Sequence, residues 1–154
     1  MKKIVGLVVS LFMAIALSGC SPQDGLNRDF SSEESLVAAL SQEGFECPIW
    51  GKFVASDFGQ AGVDQAERHA GLFGWKSRSW CGPQDFDEIS IEIFEDANGA
   101  EKAAISSNFL CKGSAVNGEF IQVKNWMIST ENHAVLGELA NLAETQIRTY
   151  PECR

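Results

Sequence analysis

The chain has 154 residues, 21 of them acidic and 12 basic, for a formal charge of −9. That length suits one domain with a real hydrophobic core. The acidic balance argues against nucleic-acid binding and against attraction to anionic lipid, because both need a basic surface.

Met1-Lys2-Lys3 is a positive head, followed by an apolar run from Ile4 to Leu17 interrupted by Gly6 and Ser10, and then by the small residues Ser18 and Gly19. This is the build of a secretory signal peptide. The run falls short of the roughly 20 apolar residues a spanning helix needs. An uncleaved signal anchor is the alternative, but it has no use for a cysteine directly after Leu17-Ser18-Gly19. The four residues Leu17-Ser18-Gly19-Cys20 resemble the lipobox of bacterial lipoproteins. This resemblance covers the leader alone. It implies that residues 1–19 are removed, that the Cys20 sulfur carries a diacylglyceryl group, and that its freed amine is often acylated too. Two or more chains anchor stably where one is marginal. The expected location is therefore extracytoplasmic, held to a membrane by the lipid on Cys20. Ser21, not Asp, follows the cysteine, which in a two-membrane bacterium is compatible with the outer membrane.

Residues 20–30 contain Pro22, Gly25 and Asn27 and are expected to be a lipidated flexible tether, with a single domain over 31–154. Ser31 with Glu34 fits a capping box opening a first helix, whose stripe is Leu36, Val37 and Leu40 and whose end is Gly44. Phe45 to Val54 holds Pro48 and Gly51, so a strand there is short or at an edge. Ser56 to Gly74 contains four glycines and is expected to be a surface loop, with at most two helical turns from Val63 to Ala70. Trp75 to Trp80 is a second weak strand, ending at the turn signal Cys81-Gly82-Pro83. Ile89 to Phe94 is the clearest strand, with three isoleucines on one face and Ser90 and Glu92 on the other. Asp96 or Asn98 caps the next helix, in which Ala100, Ala103, Ala104 and Leu110 point inward. Phe120 to Ile128 is expected to be one strand, with Ile121, Val123 and Met127 sharing a face. Ser129 or Thr130 then caps a last helix with a broad stripe from Val135 to Ile147.

This order predicts an α+β fold: a small, mainly antiparallel sheet with helices packed on one face. The unit from Ile89 to Ile128 is expected to cross over right-handed. Four cysteines remain beyond Cys20: Cys47, Cys81, Cys111 and Cys153. An even number in an oxidising compartment predicts two disulfides. Metal binding is the weaker reading, since no CxxC occurs and neither histidine is near a cysteine in sequence. Cys111 and Cys153 each follow a helix expected on the same sheet face, which favours the pairs Cys47–Cys81 and Cys111–Cys153. The pattern of Leu36 to Cys47, Cys81, Ile91 to Ala104 and Asn125-Trp126 resembles small secreted lipoproteins common in actinobacteria. It extends over most of the chain after Cys20. It implies the same fold and brings no catalytic residue. The long Ser56–Gly74 segment and the Cys111/Cys153 pair depart from it.

No GxSxG, SxxK, HExxH or P-loop occurs. His69 and His133 are the only histidines, and both are expected at the surface, without a motif-linked nucleophile. Asp85, Asp87 and Glu88 lack EF-hand spacing and suit a solvated turn; Glu95, Asp96 and Asn98 suit a helix cap. No metal or cofactor is expected. The aromatic residues are the more informative set. Trp50 and Trp126 are expected in the core. Phe73, Trp75, Lys76, Arg78 and Trp80 are the candidate recognition surface. The leading expectation is a non-enzymatic envelope domain that contacts another exported protein or a cell-wall component, and no nucleic acid. The alternatives are a small-ligand-binding or sensing module using residues 56–80, and a hydrolase with an unrecognised site.

Overall fold

The computed structural model describes residues 25–82, 89–106 and 119–149. Cys20, Cys111, Cys153 and the Asp85–Glu88 turn lie outside the described residues.

The first helix, α1, spans Glu33–Gln42. Its capping box is Ser32 with Ser35, each hydroxyl accepting from the other's backbone N–H, one position later than the expected Ser31/Glu34 pair. Glu34 is instead ion-paired with Lys52 of the edge strand β1, Ile49–Lys52. Gly44, at φ +89°, ends the helix in a backbone region that side chains disfavour.

The expected loop from Ser56 to Gly74 is almost wholly helical. A 3₁₀ turn at Ala55–Phe58 leads directly into α2, Gly59–Phe73. The helix faces inward with Gly62, Ala66, His69 and Phe73, a stripe at helical spacing but with few aliphatic residues. Gly62 is required there: a Cβ would stand 2.4 Å from the Ala55 carbonyl oxygen. Gly74, at φ +62°, turns the chain into β2, Trp75–Cys81.

Then follow β3, Ile89–Phe94; α3, Ala97–Ala104, capped by Asp96 accepting from Gly99 N at 2.7 Å; β4, Glu119–Val123; and β5, Trp126–Thr130. The expected single strand from Phe120 to Ile128 is thus a hairpin. Lys124, at φ +48°, and Asn125 make its two-residue turn, with Val123 and Trp126 opposite one another. Reversing the chain puts Trp126 and Ile128 on the same face as Ile121 and Val123, and Met127 on the other. Asn132, not Ser129 or Thr130, caps α4, His133–Leu142, and a short β6 follows at Arg148–Thr149.

The six strands lie in the order β1-β2-β3-β5-β4-β6, each antiparallel to its neighbours. β3 and β4 therefore run parallel with β5 between them. The α+β class is as expected, but the helices cover both faces. On one face α1, α4 and residues 26–30 pack on Ile89, Ile91, Ile93, Ile121, Val123, Trp126 and Ile128. On the other, Phe73 of α2 and the alanines of α3 pack on Phe94, Phe120 and Met127. This is why every residue of β3 is buried, Ser90 and Glu92 included. The alanines at 100, 103 and 104 point inward as their spacing predicts.

Part of the span expected to be a tether is packed into the domain. Leu26 and Phe30 are buried in the α1/α4 core, and Trp126 Nε1 donates to the Arg28 carbonyl at 3.2 Å. The packed domain therefore begins by Gly25. Cys47 and Cys81 are bonded, with Cα atoms 5.1 Å apart, as the sequence predicts. In the chain-entropy model a loop of this size stabilises by roughly 4 kcal/mol.

Candidate functional site: the aromatic side of the sheet

β2 sends Trp75, Arg78 and Trp80 toward the α2/α3 face. A register irregularity between Trp75 and Ser77 leaves Lys76 exposed. Arg78 is buried beneath α2 and donates through Nε and Nη2 to Glu92 Oε1 at 3.1 and 2.6 Å. The second carboxylate oxygen accepts from Trp75 Nε1 at 3.0 Å. Both oxygens of a buried carboxylate are thus paired, which is the condition for such a pair to persist away from water.

His69 closes this cluster from α2. It is buried, contrary to the surface position expected, and lies edge-on to Phe73 and Trp75. Burial, and then the positive charges of Arg78 and Arg68, push its pKa down to about 4. It is a neutral core residue near pH 7. The space enclosed by Phe53, Gln65, Ala66, His69, Trp75 and Arg78 is about 10 Å³. A space of this size, ~10 Å³, holds at most one water. The cluster braces α2 on the sheet and offers no room for a substrate.

Ring surface reaches solvent one strand further out. Trp50 is 43% exposed, not in the core as its residue type suggested, and stacks on half-buried Trp80 with centroids 6.1 Å apart and planes at 22°. Gly51 permits this, since a Cβ there would stand 3.3 Å from Trp80 Cε3. A second stack joins Phe53 and Phe58 at 5.0 Å, and Phe53 meets Trp75 edge-on at 5.7 Å. Phe58 and Val54 are 60% and 48% exposed. Each stack is therefore rooted on a β2 side chain and ends in solvent at residues 50–58.

Of the five predicted recognition residues, Trp75 and Trp80 support these stacks, Lys76 is exposed, and Phe73 and Arg78 are buried. Trp50 was expected in the core and Val54 was not singled out, whereas Phe58 lies in the span expected at the surface but outside the five named recognition residues. Pro48 and Gly51, which mark an edge strand, were the signal that could have found Trp50.

Two larger concavities are present. One of about 390 Å³ runs along α2 and is lined by Asp64, Gln65, Arg68, His69, Leu72 and Phe73 among others. The other, about 350 Å³, lies beside Gly25, between Glu43 and Leu142–Glu144. Among the described residues no group of three His, Cys, Asp or Glu side chains is placed to hold a metal ion, and no helix is long and apolar enough to cross a membrane.

No family model, curated protein or solved structure matches this chain.

Proposed function

We propose that this protein is a lipid-anchored, extracytoplasmic, non-enzymatic binding domain. Its recognition edge is Trp50, Val54 and Phe58, supported from beneath by Trp80 and Trp75. The observation that carries this reading is the pair of aromatic stacks that end in solvent along one sheet edge. Exposed aromatic rings with rigid backing supply large contact area at little entropic cost, the character of interface anchors. The partner is another exported protein or a cell-wall component. A disulfide between Cys47 and Cys81 suits the oxidising compartment that the leader implies.

The test uses the lipidated protein in its native cells with a photo-crosslinking residue at Phe58. One dominant exported partner is expected, and Trp50→Ala should remove it. Crosslinks no different from those of the same probe at exposed Lys76 would reject the recognition edge. An intact mass that retains Met1 would reject the anchor.

A second reading is a small-ligand module. The groove of about 390 Å³ along α2 supports it, because Asp64, Gln65 and Arg68 converge there beside Leu72. Its size falls within the roughly 300–1,000 Å³ range of ligand sites.

A further inference from the structure

We infer that the α1/α4 side of the domain is the side held against the bilayer, and that the aromatic edge is kept away from it. This rests on the reading of Cys20 as the lipidated residue. Leu26 and Phe30 are locked into the α1/α4 core, and Phe30 is tied through its backbone to Asn125. The stretch between the lipidated residue and the packed domain is then residues 20–25. Fully extended at ~3.5 Å per residue, it reaches about 18 Å. A domain of this length is about 35 Å across by the usual size scaling. The point where Gly25 leaves the domain therefore stays near the lipid surface, and the opposite pole cannot touch it.

Gly25 leaves beside Glu43, Leu142, Ala143 and Glu144, the C-terminal ends of α1 and α4. These helices lie on one sheet face, whereas α2 and the stacks of Trp50 on Trp80 and Phe53 on Phe58 belong to the other. Among the described residues, the exit rim carries two carboxylates and no basic side chain. Such a rim has no attraction for lipid phosphates. The short tether alone fixes the orientation, and the recognition edge is presented outward to partners close to the membrane surface.

The test uses the processed, lipidated protein reconstituted in phosphatidylcholine vesicles containing a headgroup-nitroxide lipid. A genetically encoded fluorescent residue is placed at Glu43 or at exposed Leu72 of α2. Nitroxide quenching is short-ranged, so the Glu43 probe is expected to be quenched several-fold more than the Leu72 probe. Inserting twenty Gly/Ser residues after Pro22 should abolish that difference. Equal quenching at the two positions, or a Glu43 signal unmoved by the insertion, overturns the orientation while leaving the anchor intact. Failure of the parent protein to float with vesicles overturns the lipid reading itself. The processed chain, residues 20–154, made without the leader and carrying Cys20→Ala is expected to lose all flotation, and flotation that persists would show an affinity the acidic rim does not supply.

Discussion

Asn125 and Phe30 are joined by two hydrogen bonds across 95 residues of chain: Phe30 N donates to Asn125 Oδ1 at 2.8 Å, and Asn125 Nδ2 donates to the Phe30 carbonyl at 2.7 Å. The side-chain amide acts as a short piece of strand, satisfying a buried backbone that has no strand partner. The same Nδ2 also donates to the Phe94 carbonyl at 2.9 Å. One residue of the β4–β5 turn thus fastens the N-terminal segment to the end of β3.

Asn125→Ala should lower stability by about 2–4 kcal/mol, because the buried N–H and carbonyl of Phe30 both lose the side-chain amide that pairs them. Urea denaturation is expected to show a lower midpoint. A midpoint within error of the parent would mean that the N-terminal segment contributes nothing to the fold.

Breaking the Arg78–Glu92 pair from one side should cost about 3–5 kcal/mol, since the remaining charge stays buried. Arg78→Met is the informative single variant. Arg78→Met combined with Glu92→Leu should recover most of the loss, because two buried charges are then replaced by apolar groups. A double variant as unstable as the single one would contradict this account.

The His69 pKa lies below its ordinary value, so between that value and about 4 the unfolded chain binds more protons than the folded one. Stability from this source is complete above about pH 6.5 and is lost as pH falls toward 4, on the order of 2 kcal/mol in all. Comparing urea midpoints at pH 7 and pH 4.5 checks it. His69→Gln should flatten that part of the profile.

Glycines within helices should divide into two classes. Gly99→Ala would place a Cβ 2.1 Å from the Phe73 carbonyl oxygen, where α3 meets the end of α2. It should be strongly destabilising. At Gly71 and Gly137 a Cβ meets nothing within 4 Å. Alanine there should stabilise by about 0.5–1 kcal/mol through helix propensity. Thermal melts of the three variants separate the classes.

The two tryptophans expected in the core, of which Trp126 lies there and Trp50 does not, give a direct comparison. Trp126→Ala should cost about 3–5 kcal/mol, the usual price of emptying a core aromatic site. Trp50→Ala, whose ring is largely solvated, should cost no more than about 1.5 kcal/mol, the scale of one aromatic stack. Equal costs would place Trp50 in the core after all.

What the sequence could determine by itself was local. The isoleucine alternation of β3, the alanine spacing of α3, the Gly44 stop and the edge character around Pro48 and Gly51 depend on backbone preference and on periodicity within one element, and each can be read without neighbours. The Cys47–Cys81 bond was expected on a premise that fails: it followed from placing the helices before Cys111 and Cys153 on one sheet face, whereas α3 and α4 pack on opposite faces. α2 was not legible, because its inward stripe of Gly62, Ala66, His69 and Phe73 is helical only once the 3₁₀ turn folds back on it and Arg78 and Trp75 supply its floor. The β4–β5 turn was hidden for a similar reason: Lys124-Asn125 lacks the usual turn glycine, and Asn125 takes its place through bonds to residues far away in sequence. The coverage of both sheet faces followed from the same limit. Alternation tells which residues share a face, but only tertiary packing decides whether the polar face, with Ser90 and Glu92, meets water or a buried arginine. The candidate site was decided there as well, since Trp50 and Arg78 exchange the environments their residue types suggest: a strand at the sheet edge leaves an indole in solvent, and a helix laid over β2 encloses a guanidinium already neutralised by Glu92.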